Sequence, residues 1–215
     1  VIVSESIFSM DGDCADISIL SDIAEEFDAE LFIDEAHAVN CIGEKGLGIC
    51  EISGTINKVD YIAGTFGKGF GGVGAFIVCN RAVKQYLINK CRSFIFTTAL
   101  PPLNISWIDF ILSISADMIK QRGKLAENSR TLREILLNDS GFETIGEHHI
   151  VPLICGDDET TLSLSQRMAE KGIFVPSVRP PTVPEGKSRL RFSVTSTFNE
   201  ADFSLIKKTL VEMSL

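Results

Sequence analysis

Short apolar runs that end in polar residues alternate along this chain with segments of helical spacing. Three of these runs are "ELFID" at 30–34, "VDYIAGT" at 59–65 and "GAFIVCN" at 74–80, and each has the length and composition of a strand. Before these strands, positions 16–28 repeat apolar side chains at helical spacing, which predicts a helix over one face of a sheet. This alternation predicts an α/β fold with a mostly parallel sheet.

Polar residues follow three of the predicted strands. "VIVSES" at the start of the chain is predicted to be a short buried strand that ends at Ser4 and Glu5, and the next two strands end at Asp34 and Thr65. In parallel sheets, ligands bind at the carboxyl ends of the strands. The sequence therefore predicts one site at this edge of the sheet.

The second half of the chain has a different pattern. Residues 103–138 are predicted to form one long or broken helix between two prolines and the turn sequence "NDSG". A smaller α+β region follows this helix. We therefore predict two domains: residues 1–104, and residues 105–215, which include the connecting helix and the smaller region. Its predicted elements are, in order, the strand "HIVPLIC", the helix "TLSLSQRMAEKG", the strands "IFVPSV" and "RLRFSV", and the helix "NEADFSLIKKTLVEM" with Asn199 as its N-cap.

Charge and cysteine usage exclude some classes of function. The net charge of −9 argues against a nucleic-acid partner, because such proteins carry a surplus of Lys and Arg. The most apolar segment is interrupted by Asp109 and Asp117, so we expect a buried helix and no membrane span. None of the six cysteines forms a C-x-x-C pair, which is typical of reduced thiols in a cytoplasmic protein. His148 and His149 have no zinc-like spacing to any cysteine, so no metal site is predicted.

The letters D-E-A-H at 34–37 are familiar from nucleic-acid helicases, where the acidic pair holds the magnesium of ATP. Such enzymes also need the P-loop G-x-x-x-x-G-K-[ST]. The nearest sequence here is "GTFGKGF" at 64–70, in which Gly69 stands where the loop needs Ser or Thr after Lys68. The acidic box is therefore interpreted as serving another cofactor.

Pyridoxal phosphate requires the residue types that this region offers. Its aldehyde needs a lysine amine, its ring nitrogen a carboxylate, its ring hydroxyl a hydrogen-bonding partner, and its phosphate hydroxyl and N–H donors. Asp34 at a strand end, His37 three residues later and Lys68 among glycines match these needs. Each also has a simpler interpretation: a helix N-cap for Asp34, a core histidine for His37 and a surface-loop lysine for Lys68.

Five segments in order resemble the motifs of the α-oxoamine synthases, which are fold-type-I pyridoxal-phosphate enzymes. The segments are "SIFSMDGD", "LFIDEAHAVN" with "IGEKGLG", "TFGKGFGGVGAF", "FIFTTALPP" and "RPPTVPEGKSRLRFS". The resemblance covers essentially the whole chain. It implies a fold-type-I α/β domain, a small carboxyl-terminal domain and pyridoxal 5'-phosphate as cofactor.

The resemblance also implies a role for individual residues. Lys68 resembles the Schiff-base lysine, Asp34 the partner of the pyridinium nitrogen, and His37 and Ser9 the partners of the ring hydroxyl. Ser9 also fits a simple turn serine.

Further roles concern the phosphate and the substrate. Thr65 resembles a phosphate ligand, and Thr97 and Thr98 match a segment that reaches the phosphate of a neighbouring subunit, which implies a homodimer with shared active sites. Ala99 departs from the small polar residue often found there. Arg191 resembles the arginine that holds the carboxylate of the amino-acid substrate, and Arg179, with Thr182 to support it, is a second candidate for this role. Surface ion pairs are the alternative for the two arginines.

The implied reaction is a decarboxylative condensation of an amino acid with an acyl thioester. "TFGKGFG" and "RPPTVP" resemble most the branch that joins L-alanine to a pimeloyl thioester in biotin synthesis. The alternatives are another branch, such as the 2-amino-3-ketobutyrate ligases, or a non-catalytic scaffold subunit of the same fold. Because the chain starts inside a strand pattern without Met, we expect it to be the later part of a longer protein.

Overall fold

A computed structural model describes residues 1–213. By their internal contacts these residues form two compact units. The first consists of Val1–Ile7 and Ala15–Arg122, and the second of Phe8–Cys14 and the described residues from Gly123 onward. The predicted domain boundary at 104 and 105 is a different division and stays a prediction.

The first unit contains four strands, five complete α-helices, the start of a sixth and one 3-10 turn. In chain order these are β1 (Ile2–Glu5), α1 (Ile17–Glu26), β2 (Leu31–Asp34), α2 (Ile49–Ile52), the 3-10 turn Ile56–Lys58, β3 (Tyr61–Thr65), β4 (Ala75–Val78), α3 (Arg81–Lys90), α4 (Arg92–Ile95) and α5 (Pro102–Ser115), followed by the start of α6 (Ile119–Asp139).

The sheet of the first unit has the order β1-β2-β3-β4. The first three strands are parallel, with Glu5 opposite Asp34 and Asp34 opposite Ala63, whereas β4 runs antiparallel to β3. The polar strand ends therefore meet at one edge, which confirms the mostly parallel α/β prediction. The prediction that β1 is buried is wrong for Val3, which is 69% exposed because β1 is an edge strand among the described residues.

The predicted helix at 103–138 is broken into α5 and α6. Arg122, which is buried, donates from Nη1 to the carbonyl of Ser115 at 2.7 Å and from Nη2 to the carbonyl of Ala116 at 3.2 Å. A cation at the last carbonyls of a helix satisfies groups that have no partner within it. This arginine therefore stabilises the end of α5 and the turn that follows.

The second unit is built on an antiparallel sheet covered by helices. Its elements, besides most of α6, are β5 (Glu143–Thr144), β6 (Ile150–Gly156), α7 (Asp158–Glu170), β7 (Ser177–Val178), β8 (Ser188–Ser193) and α8 (Glu200–Met213), and the strand order is β5-β6-β8-β7. Leu132 and Leu136 of α6 pack with Leu153 and Leu190 of the sheet in one apolar core.

Two local predictions in the second unit have different outcomes. Asn199 is confirmed as the cap of α8: its side-chain oxygen accepts from the N–H of Ala201 at 2.8 Å, and Asp202 accepts from the N–H of Asn199 at 2.9 Å. The predicted strand "IFVPSV" is mostly wrong, since only Ser177 and Val178 pair in the sheet. Pro176 has no N–H for a ladder, and Phe174 is 91% exposed.

Within the described residues, no helix combines the length and the apolar composition that crossing a membrane would need.

Candidate active site

The loop that carries Lys68 is the turn between β3 and the antiparallel β4. Its two ends are joined because the N–H of Phe66 donates to the carbonyl of Gly74 at 2.9 Å, and the N–H of Gly72 donates back to the carbonyl of Phe66 at 2.7 Å. Gly69 has no room for a side chain, since a Cβ there would lie 2.6 Å from the carbonyl oxygen of Val39. The glycines thus let this loop lie directly against the turn that follows β2.

Lys68 and His37 are brought together by this packing. The Nζ atom of Lys68 lies 2.8 Å from Nε2 of His37, although the two residues are 31 positions apart in the chain. Lys68 lies on the exposed part of the loop and His37 is half-buried. A histidine in contact with an amine at a sheet edge is a group for hydrogen bonding and proton transfer. The structure therefore does not support His37 as a simple core histidine or Lys68 as an isolated surface lysine.

Asp34 ends β2 and begins the same turn. Its Oδ1 accepts a hydrogen bond from the N–H of Ala36 at 2.8 Å, as in an Asx turn. One carboxylate oxygen therefore closes a turn, and since the next helix begins only at Ile49, Asp34 is not the helix N-cap of the alternative interpretation. This bond leaves the negative charge of the half-buried side chain in place at the carboxyl edge of the sheet.

Thr65 stands at the end of β3 with its hydroxyl engaged in the lysine loop. Oγ1 donates to the carbonyl of Gly74 at 3.1 Å and accepts from the N–H of Gly67 at 3.1 Å. Because a hydroxyl has one hydrogen, binding a phosphate through it would require the bond to Gly74 to open. The phosphate role of Thr65 stays a prediction.

Two residues that the sequence did not single out hold the lysine loop in place. Asn40 donates from Nδ2 to the carbonyl of Gly69 at 2.7 Å, and its Oδ1 accepts from the hydroxyl of Ser115 at 2.7 Å. Trp107 donates from Nε1 to the carbonyl of Phe70 at 3.2 Å. Asn40 has a φ of 63°, a backbone conformation that Asn adopts more readily than most residues. An Asn shortly after the D-E-A-H letters was therefore the one signal in the sequence for a turn at this position.

Glu35 is the third residue that the sequence analysis missed, and it is fully buried. Its Oε2 accepts from the hydroxyl of Ser6 at 2.6 Å and from the N–H of Ile49 at 3.1 Å, and its Oε1 accepts from the N–H of Cys50 at 2.6 Å. Gly48 must lack a side chain, because a Cβ would lie 2.4 Å from Oε2. The carboxylate ties the turn of Asp34 and His37 to the end of β1 and the start of α2.

The cysteines near this edge are not nucleophiles. Burial raises the pKa of Cys41 to about 11, and burial together with the charge of Glu35 raises the pKa of Cys50 further. Both thiols are therefore protonated at neutral pH, and the thiolate is the reactive form.

Thr97 and Thr98 lie in the segment between α4 and α5, and both are exposed. Phe96, beside them, is 73% exposed, and Leu103 at the start of α5 is 81% exposed. The single chain does not test the predicted contact of these threonines with a neighbouring subunit.

The second unit places Ser9 against Arg191. Arg191 donates from Nε to the carbonyl of Ser9 at 2.6 Å and from Nη1 to the hydroxyl of Ser193 at 2.8 Å, and burial lowers its pKa. Ser9 lies in a turn, in agreement with the alternative noted above. Arg189, two residues before Arg191 and on the same face of β8, forms an ion pair with Asp11. The two arginines together fix the segment Phe8–Cys14.

Arg179 and Thr182 are both exposed and belong to one turn, in which the N–H of Thr182 donates to the carbonyl of Arg179 at 3.0 Å. Among the described residues, the ion pairs include neither Arg179 nor Arg191. The surface ion-pair alternative is therefore not supported, and the role of these residues in binding a carboxylate stays a prediction.

Comparison with known proteins gives a consistent match. The family model for aminotransferase class I and II matches residues 1–204. The chain is 41% identical over 215 residues to a putative 8-amino-7-oxononanoate synthase of Pasteurella multocida, covering 100% of this chain and 56% of that protein. The chain spans about half the length of the curated relatives it matches.

Two solved structures have the same fold. A variant of the serine palmitoyltransferase of S. paucimobilis with a bound PLP–myriocin aldimine is 28% identical with a TM-score of 0.92, over 98% of this chain and 53% of that one. The 8-amino-7-oxononanoate synthase of Francisella tularensis is 25% identical with a TM-score of 0.84, over 98% of this chain and 62% of that one. The fold is therefore that of the fold-type-I enzymes, as predicted.

We predict that Glu35→Gln destabilises the protein. An amide has one acceptor oxygen, so either Ile49 or Cys50 would face an NH₂ group and lose its hydrogen-bond partner, at a cost of about 1–3 kcal/mol. Urea unfolding followed by circular dichroism measures the change, with Glu26→Gln on the exposed face of α1 as the matched control. Equal midpoints for the two variants would show that the buried carboxylate is not needed.

Proposed function

This chain belongs to the aminotransferase class I and II family, and on that basis we propose that it is part of a pyridoxal-phosphate-dependent α-oxoamine synthase. The observation that carries the proposal is the contact of Lys68 with His37 at 2.8 Å beside the strand end at Asp34. Relatives named 8-amino-7-oxononanoate synthase and a PLP-bound serine palmitoyltransferase of the same fold support it.

The residues at the sheet edge fit this cofactor. Lys68 supplies the amine for the covalent link, Asp34 a carboxylate for the ring nitrogen, and His37 a group for the ring hydroxyl. Gly67 and Gly69, on either side of Lys68, have no side chains that could crowd its amine. When bound, pyridoxal phosphate supplies a ring that accepts the electron pair left at the α-carbon of the substrate.

The chain's own groups perform the remaining steps of the proposed reaction. Lys68, once displaced by the amino group of the substrate, takes the proton from the α-carbon and later returns it. Asp34 favours the protonated ring nitrogen by its charge. Arg191 binds the substrate carboxylate through its guanidinium, a geometry suited to two parallel hydrogen bonds, and Arg179 with Thr182 assists. The α-carbon would then form a bond to the thioester carbonyl carbon as the carbon–sulfur bond breaks and the thiolate leaves. The bond from the α-carbon to its carboxylate would break to release carbon dioxide, and the proton held by Lys68 would return to the α-carbon.

We further propose a cytoplasmic homodimer, in which Thr97 and Thr98 reach the phosphate of the neighbouring subunit. The exposed Phe96 and Leu103 support this, because large apolar side chains at that level of exposure are typical of surfaces that a partner covers. Small amino-acid and acyl-thioester substrates are the only other partners proposed.

A scaffold subunit without activity is the alternative from another class. Such a subunit has no need of a lysine held in contact with a histidine, and this chain keeps both residues together. The observation therefore favours the enzyme.

Borohydride reduction of the protein expressed from its complete gene tests the proposal. We expect the reduced cofactor on Lys68, identified by peptide mapping. Lys68→Ala should lose the long-wavelength absorbance of the bound cofactor, whereas Lys84→Ala, an exposed lysine on α3, should keep it. A tag on any other lysine would refute the assignment of Lys68.

Asp34→Asn separates the charge of Asp34 from its role in the turn. The amide oxygen can still accept from the N–H of Ala36, so the fold should be retained, but the charge at the ring nitrogen is lost. We expect the cofactor to stay bound and kcat to fall on the order of 100-fold or more. A near-normal kcat would show that Asp34 only closes the turn.

The substrates are proposed to be L-alanine and a pimeloyl thioester, which would place the reaction in biotin synthesis. Glycine, L-alanine and L-serine are to be tested with acetyl-, succinyl-, pimeloyl- and palmitoyl-thioesters, with carbon dioxide release as the readout. One methyl group in a pocket discriminates by only about 1–3 kcal/mol, so the acyl group is the sharper test. Faster turnover with glycine and acetyl-thioester would assign the protein to the 2-amino-3-ketobutyrate ligase branch instead.

A further inference from the structure

Three side chains of the second unit that have no part in the proposed reaction converge on one point. The Sγ atom of Cys14, a carboxylate oxygen of Glu147 and an imidazole nitrogen of His148 all lie within 4.8 Å of one another. Cys14 and His148 are half-buried, and Glu147 is exposed. The three residues come from two segments more than 130 positions apart in the chain.

Backbone contacts hold these two segments together without any ion. The N–H of Glu147 donates to the carbonyl of Gly12 at 3.0 Å. A Cβ on Gly12 would lie 2.3 Å from the carbonyl oxygen of Ile150, and a Cβ on Gly146 would lie 2.6 Å from the carbonyl oxygen of Asp11. Both glycines also have positive φ. The backbones are therefore as close as glycine permits, and the cluster is preorganised.

The surrounding side chains fix the cluster further. Arg189 and Arg191 bind the segment of Cys14 at Asp11 and Ser9. Arg133 donates from Nη2 to the carbonyl of His148 at 3.0 Å. Contacts of this kind hold ligand residues in position and raise the affinity of metal sites.

The donor set matches one class of ion. A thiolate, an imidazole and a carboxylate together are the ligands that zinc prefers, and three protein ligands leave a fourth tetrahedral position for water. The negative charges of the thiolate and the carboxylate would balance the charge of Zn²⁺. The ion would therefore not add net positive charge beside the guanidinium of Arg133.

We propose that Cys14, Glu147 and His148 form a Zn²⁺ site that fixes the segment Phe8–Cys14 against the start of β6. The ion would link the two segments in addition to the backbone contacts and the arginines of β8 that already hold them. It would thereby set the position of Ser9, whose carbonyl binds Arg191. The site rests on these residues alone and not on the proposed reaction.

Titration with Co²⁺, followed by displacement with Zn²⁺, tests the site in the protein expressed from its complete gene. We expect one equivalent of Co²⁺ with the intense long-wavelength bands of a four-coordinate ion, which lie beyond the absorbance of pyridoxal phosphate. Cys14→Ser and His148→Gln should each weaken binding by at least about 10-fold. Cys91→Ser, which removes a thiol of the first unit, should leave binding unchanged. Absence of the four-coordinate spectrum, or unchanged affinity in Cys14→Ser, would refute the site.

A second measurement uses the unsubstituted protein and does not depend on the folding of any variant. Iodoacetamide labelling with peptide mapping compares Cys14 and Cys91, both of which are partly exposed. We expect Zn²⁺ to protect Cys14 and to leave Cys91 reactive, because the pKa of Cys91 is lowered by its hydrogen bond from Ser93 and its thiolate has no proposed metal partner. Equal labelling of Cys14 with and without Zn²⁺ would contradict the proposal.

Discussion

The carboxylate of Glu35 is the interaction on which the candidate site depends most directly. A fully buried carboxylate is unfavourable unless its oxygens accept enough hydrogen bonds, and here Ser6, Ile49 and Cys50 donate three. Ser6 follows β1, whereas Ile49 and Cys50 begin α2. The three hydrogen bonds therefore tie the turn between β2 and α2 to both neighbouring segments, and Asp34 and His37 lie in that turn on either side of Glu35.

The loop that carries Lys68 is held by side chains that donate hydrogen bonds to its backbone carbonyls. Asn40 and Trp107 donate to the carbonyls of Gly69 and Phe70, so the loop is held without using the side chain of Lys68. This arrangement leaves the amine at the tip of a loop whose backbone is constrained. Both properties suit the role proposed for Lys68, in which the amine moves during the reaction while its attachment point stays in place.

The second unit uses a comparable arrangement around the segment Phe8–Cys14. Arg189 and Arg191 bind this segment, and the backbone around Gly146 packs closely against it. The alternation of side chains along β8 places both arginines on one face. The segment Phe8–Cys14 carries both Ser9, whose carbonyl orients Arg191, and Cys14, whose thiol belongs to the proposed zinc site.

The sequence by itself determined the elements with local signals: the parallel strands that end at Glu5, Asp34 and Thr65, the break-prone helix after Pro102 and the cap at Asn199. It also placed Lys68 in a glycine loop and Asp34 and His37 in one turn, since those patterns lie within a few residues. Only the tertiary structure decided the contact of Lys68 with His37, the burial of Glu35 and the meeting of Cys14 with Glu147 and His148. It also showed that the strand "IFVPSV" pairs only at Ser177 and Val178. These features depend on groups 14 to more than 100 positions apart, and the free energy of burying or pairing them exists only once the chain has folded.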